Sequence, residues 1–136
     1  MASTRRAIHV GNLTFNSGVK VEKHLLQDVM KSVKPWIEQL MDVGTYKIMI
    51  YNGQMDVIIA WPLTESFITS MNWKGKKDYI NTSRAQWKVG GQLAGYAKSV
   101  GNFTQVLVRN AGHMIPYDQP KWAFDLISRF TAGKKF

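Results

Sequence analysis

The chain has 136 residues, of which 45% are apolar, enough for a packed core and too many for a disordered polypeptide. It contains no cysteine, which excludes disulfides, thiolate metal sites and a cysteine nucleophile, and no apolar run approaches the ~20 residues that a membrane helix needs. The formal net charge of +9 fits a nucleic-acid binder in sum but not in arrangement. Lysines and arginines are scattered from Arg5 to Lys135 with no run beyond Lys74-Gly75-Lys76-Lys77, so they read as solvated surface, and neither a nucleic-acid nor a membrane partner is expected.

Taken in chain order, the basic opening Met1-Ala2-Ser3-Thr4-Arg5-Arg6 lacks the apolar stretch of a signal peptide. Residues 7–18 read as a short extended piece and a turn closed by Asn16-Ser17-Gly18. From Val21 to Met41 the apolar residues Leu25, Leu26, Val29, Val33, Ile37 and Leu40 recur at helical spacing. Proline is tolerated only in a helix's first turn, so Pro35 predicts two pieces, the second from near Ser32 to about Asp42, stopped by Gly44. Tyr46–Tyr51 is an apolar run without polar alternation, the pattern of a strand buried on both faces in a parallel sheet. It ends at Asn52-Gly53, and Asp56 follows.

Pro62 to about Met71 predicts a helix, and Trp73–Tyr79 a loop. Gly95–Val100 and Phe103–Val108 flank Gly101-Asn102, the signature of a hairpin. The second strand runs out at Arg109-Asn110-Ala111-Gly112-His113. Beyond Pro116 and Pro120, the residues Trp122, Phe124, Leu126, Ile127 and Phe130 mark an amphipathic closing helix capped by Gly133. The order helix, strand, helix, hairpin, helix is an α/β pattern in one domain. Asp56 and His113 each lie just past the C-terminal end of a strand, where α/β sheets place their chemistry.

An aspartate after a strand is commonly a turn residue, and a histidine in a glycine-rich loop is commonly polar filling. Two features favour more. Gly112, Pro116 and Pro120 stiffen the histidine loop, and a general base needs a fixed direction. Asp56 also precedes His113, which is the order of acid and base in α/β-hydrolase triads.

The stretch Arg109-Asn110-Ala111-Gly112-His113-Met114-Ile115-Pro116-Tyr117-Asp118-Gln119-Pro120 resembles the histidine motif of the serine carboxypeptidases, a small-Gly-His-hydrophobic-hydrophobic-Pro loop with a second proline four residues on. Ile50-Tyr51-Asn52-Gly53-Gln54-Met55-Asp56 resembles that family's aspartate motif, and Trp73, Trp87 and Gly95-Tyr96 fall at its landmarks. The opening Ile8-His9-Val10-Gly11 and the Tyr-Asp-Gln-Pro ending are similar to the vitellogenic-type and retinoid-inducible members.

The resemblance implies the C-terminal portion of an α/β-hydrolase: a mostly parallel sheet flanked by helices, with a terminal hairpin and an incomplete sheet. It implies Asp56 as triad acid, His113 as general base, Met114 as a lining residue for the substrate's last side chain, and peptide as substrate. It also implies an acidic working range and a lysosomal or secreted setting.

No Gly-x-Ser-x-Gly elbow occurs in the chain, and the family's upstream Trp-Asn-Gly-Gly segment is missing too. The nucleophile therefore has to come from an N-terminal portion or chain, and the present chain is expected to be inactive by itself. The alternative is a truncated, catalytically inactive isoform or remnant acting through interactions.

The resemblance implies no metal or organic cofactor, and His9 and His24 have no third residue at ligand spacing for zinc. Three sequons, at Asn12, Asn81 and Asn102, are glycosylation candidates, with ordinary Asn/Thr turn chemistry as the plain alternative.

Overall fold

A four-stranded sheet organises the C-terminal part of the chain, seen in a computed structural model that describes residues 2–15 and 18–136. The chain divides into two units, Met1–Val33 and Lys34–Phe136. The first holds two short helices, α1 (Ala2–Ala7) and α2 (Val19–Leu25). The extended piece expected over residues 7–18 is absent among the described residues. Ala7 instead ends a helix, turns follow at residues 8–9 and 11–12, and Arg5 Nε donates to the Gly11 carbonyl at 2.8 Å. Arginine reaching back to loop carbonyls replaces strand pairing there. Asn16 and Ser17, the core of the predicted turn, lie outside the described residues.

In the second unit the elements are α3 (Lys34–Val43), β1 (Ile48–Gly53), α4 (Trp61–Ser70), α5 (Lys76–Asn81), β2 (Ala85–Val89), β3 (Gln92–Val100), β4 (Phe103–Val108), α6 (Ile115–Asp118) and α7 (Pro120–Ala132). Pro35 sits in the first turn of α3, where its missing N–H has no helical partner to lose. Gly44 follows at φ 71° and ends the helix. Gly133, at φ 66°, caps α7 in the same left-handed way.

The strand order is β1-β4-β3-β2, with β1 parallel to β4 and the other two pairings antiparallel. This is the α/β class expected, with the hairpin in place and β1 at the sheet's edge. The sheet is mixed: one parallel pair is joined to an antiparallel meander.

Trp73–Tyr79 is not wholly loop, because Lys76–Asn81 closes a helical turn that buries Tyr79. A single turn shows no repeat of the helical period, so the sequence pattern is silent there. Strand β2 was not anticipated either. It pairs with β3 through the two-residue loop Gly90-Gly91, both at positive φ, 57° and 81°. That Gly-Gly between Trp87-Lys88-Val89 and Gln92-Leu93 was a readable hairpin signal.

The core lies on both faces of the sheet. On one side Trp87, Ala97, Val106 and Val108 pack with Ile115 and with Leu126 of α7. Trp87 Nε1 also donates to Asp125 Oδ2 on α7 at 2.8 Å. On the other side Phe103 meets Ile68, Met71 and Tyr79, with Ile37, Met41 and Trp73 against them. Under that face runs a polar seam: Gln105, almost fully buried, accepts from the Tyr79 hydroxyl and donates to Glu65, which also pairs with Arg84 at 3.0 Å. Burial and the nearby Glu65 carboxylate push the Tyr79 hydroxyl well above its ordinary pKa, keeping it protonated as a donor. Gly95 is required by packing, since a Cβ there would lie 2.1 Å from the Leu107 carbonyl oxygen of the next strand.

Candidate active site

The parallel pair β1 and β4 ends in register at Gly53 and Val108, and both chains continue past that end into loops. Backbone hydrogen bonds keep the loops together. The Gln54 N–H donates to Val108 O at 2.8 Å, and the Met55 N–H to Ala111 O at 2.9 Å. Gly53 makes the approach feasible: a Cβ there would lie 2.1 Å from Gly112 O and 2.4 Å from Ala111 O. Asp56 and His113 thus leave adjacent strands on loops pressed backbone to backbone.

Asp56 Oδ1 accepts the N–H groups of Ile58, at 2.8 Å, and Ile59, at 3.1 Å, in a tight turn. With one oxygen so held, the other points at the imidazole, and His113 Nδ1 lies 3.0 Å from Asp56 Oδ2. The two side chains differ sharply in access, Asp56 being 5% exposed and His113 51%. Burial alone raises the Asp56 pKa. The hydrogen bonds from His113, Ile59 and Ile58, with the attraction of the imidazolium, outweigh it and hold the carboxyl below its ordinary value. An ionised acceptor at Nδ1 favours the tautomer with its proton on Nδ1 and leaves the Nε2 lone pair able to accept a proton.

Asn52, the last side chain of β1, was not singled out in the sequence. It is buried, and its amide donates to Ile59 O at 3.1 Å, fixing the far end of the turn that holds Asp56. The available signal was a polar residue closing the otherwise apolar run Ile48–Tyr51.

Met114 stands beside His113 with 63% of its surface exposed, so it fills no gap in the core. The glycosylation candidates Asn12, Asn81 and Asn102 are all exposed and lie away from this loop pair in sequence. Asn102 occupies the β3–β4 turn, and its Nδ2 donates to Gly44 O at 2.5 Å.

The model of the family described as serine carboxypeptidase matches residues 2–133. The chain belongs to the serine carboxypeptidase family. The venom serine carboxypeptidase of Apis mellifera is 52% identical over 136 residues, covering 99% of this chain and 29% of the bee protein. The vitellogenic carboxypeptidase of Aedes aegypti is 44% identical over 130 residues, covering 93% and 27%, in keeping with the vitellogenic-type features of the sequence. The crystal structure of Kex1(delta)p, a prohormone-processing carboxypeptidase from Saccharomyces cerevisiae, superposes with a TM-score of 0.66 at 23% identity, covering 77% of this chain and 23% of that one. That likeness shows the shared α/β-hydrolase fold. The chain spans under a third of the length of the curated relatives it matches.

Proposed function

We propose that this chain supplies the acid and the base of a Ser-His-Asp peptidase site that removes C-terminal amino acids from peptides, the serine coming from polypeptide outside these 136 residues. The observation that carries the reading is the 3.0 Å bond between His113 Nδ1 and Asp56 Oδ2, with the other carboxylate oxygen tied to two backbone N–H groups. In that arrangement the buried carboxylate orients the ring and stabilises the imidazolium. The free Nε2 takes the serine proton as the hydroxyl attacks the scissile carbonyl, then returns it to the leaving amine. Water repeats the cycle on the acyl intermediate. Met114 contacts the substrate's last side chain in this reading, which its exposure next to His113 supports.

The surface around the pair supports docking of a serine-bearing portion. Strand β1 is an edge strand with a free hydrogen-bonding side. Met55, Val57, Ile58, Tyr117 and Phe124 are exposed apolar side chains. An apolar groove of about 390 Å³, lined by Tyr51, Pro120, Phe124 and Ile127 among others, runs beside the strand. By kinship with a protein named for venom, the complete molecule works in a secreted or lysosomal compartment, with the exposed sequons as glycan sites.

The test is reconstitution. The pure chain is expected to leave a blocked dipeptide intact, and the same chain bound to a serine-bearing N-terminal portion to release its C-terminal residue. Robust cleavage by the pure chain, or none by the assembled pair, contradicts the proposal.

A further inference from the structure

We propose that Asp118 and Gln119 are positioning residues that latch the histidine loop closed and so set the direction of His113. The catalytic consequence rests on the peptidase reading above; the latch itself rests only on geometry.

Strand pairing ends just before this loop, with the Arg109 N–H on Ala94 O at 2.9 Å. His113 is half exposed, and among the described residues its ring makes one side-chain hydrogen bond, from Nδ1 to Asp56. One hydrogen bond fixes a separation but leaves the ring free to swing about it unless the backbone is held. Two side chains at the end of α6, its last residue Asp118 and the following Gln119, hold it. Asp118 Oδ2 accepts the Gly112 N–H at 2.7 Å, one residue before the histidine. Gln119 Nε2 donates to Asn110 O at 2.9 Å, bracing a residue in the left-handed region at φ 50°.

The return path is itself fixed. Met114 O accepts from the Tyr117 and Asp118 N–H groups at 2.9 and 3.0 Å, Ile115 O accepts from Gln119 at 2.8 Å, and Ile115 is buried in the core. The loop over 110–119 is therefore a closed ring whose two cross-ties are side chains of adjacent residues. Asp118 contributes the stronger tie, since a carboxylate accepting an N–H makes a charge-assisted bond. Its loss frees a glycine, the residue with most backbone freedom, immediately before the base.

A carboxamide oxygen can accept the same N–H, whereas alanine cannot. D118A in the assembled enzyme is expected to lower kcat about tenfold, short of the ~100-fold that a full 1 Å misplacement costs, because Asp56 still anchors the ring. KM should stay within about twofold, because Met114 keeps the backbone bonds that Tyr117 and Asp118 make to its carbonyl. D118N is expected to recover kcat to within about threefold of wild type, since a neutral acceptor makes a bond roughly half as strong as a charged one.

The second readout is the downfield proton shared by His113 Nδ1 and Asp56 Oδ2 in the proton NMR spectrum. It should broaden in D118A and persist in D118N. Wild-type kcat and an unchanged proton signal in D118A overturn the latch. So does D118N as slow as D118A, which would make the carboxylate's charge, not its hydrogen bond, the active feature. An inactive wild-type assembly would sink the peptidase reading instead, and the proton signal would still decide the latch.

Discussion

Replacing Gly53 with alanine probes the contact that brings the two loops together. The added Cβ would sit 2.1 Å from Gly112 O, and since such carbons do not approach within 3.0 Å, the backbones must part by about 0.9 Å. The atoms it would meet, Gly112 O and the Ala111 carbonyl, belong to backbone, so no side-chain rotation relieves them. Carried through to the site, that displacement stretches the 3.0 Å bond between His113 and Asp56 beyond the range of about 2.7–3.2 Å in which N–H···O bonds form. Overpacking of this kind costs about 1–3 kcal/mol. Misplacing the base by about 1 Å lowers turnover by roughly 100-fold.

Gly95→Ala supplies the control. Its Cβ would lie equally close, 2.1 Å, to the Leu107 carbonyl, but within the β3–β4 pair. Thermal unfolding and hydrolysis of a blocked dipeptide by the assembled enzyme should therefore separate the two variants. Both melt early, and G53A also loses turnover per folded molecule. Wild-type turnover in G53A would refute the reasoning.

Other perturbations follow from the same contacts. Trp87→Ala removes a fully buried indole and its hydrogen bond to Asp125, and urea unfolding should show a loss of about 3–5 kcal/mol; less than 1 kcal/mol would contradict the packing described. The Asp56 carboxyl is held below its ordinary value, so its pairing contributes stability above the unfolded carboxylate pKa and loses it as pH falls through the lowered native value. Asp56→Asn should accordingly flatten the acid limb of the stability curve below about pH 4, and an unchanged limb would argue against the pairing. The pure chain, with the outer side of β1 open at the sheet edge and an exposed apolar groove beside it, should self-associate in sedimentation and become monodisperse once a serine-bearing portion is added. A sharp, cooperative melt of pure monomer would count against that.

Much of this was legible in the residues, and the failures have physical causes. Pro35, Gly44, Gly101-Asn102 and Gly133 punctuate the chain where the structure does, because each fixes or frees φ in a way few residues can. The apolar run at Tyr46–Tyr51 announced a strand, which the structure places at Ile48–Gly53. Its lack of alternation said that both faces expect cover, yet no pattern within the chain says what covers its free edge.

The short α5 leaves no mark in the sequence pattern because so short a helix has no periodicity, and β2 leaves a weak one because only Trp87 along it is buried. The juxtaposition of Asp56 and His113 could be read from their places after two strands, but not the means. The close backbone approach at Gly53, the Asx-type turn on Ile58 and Ile59, and the tie from Asn52 are three-dimensional facts that spacing along the chain does not encode.

The claim that His113, oriented by Asp56, activates a serine supplied from outside the chain is tested most directly by following fluorophosphonate labelling of the serine-bearing portion. With the wild-type chain bound, labelling should be fast. With H113A or D56N bound it should slow by roughly 10⁴-fold, the usual cost of losing a triad member or its tautomer. Equal labelling rates with all three chains would contradict the account.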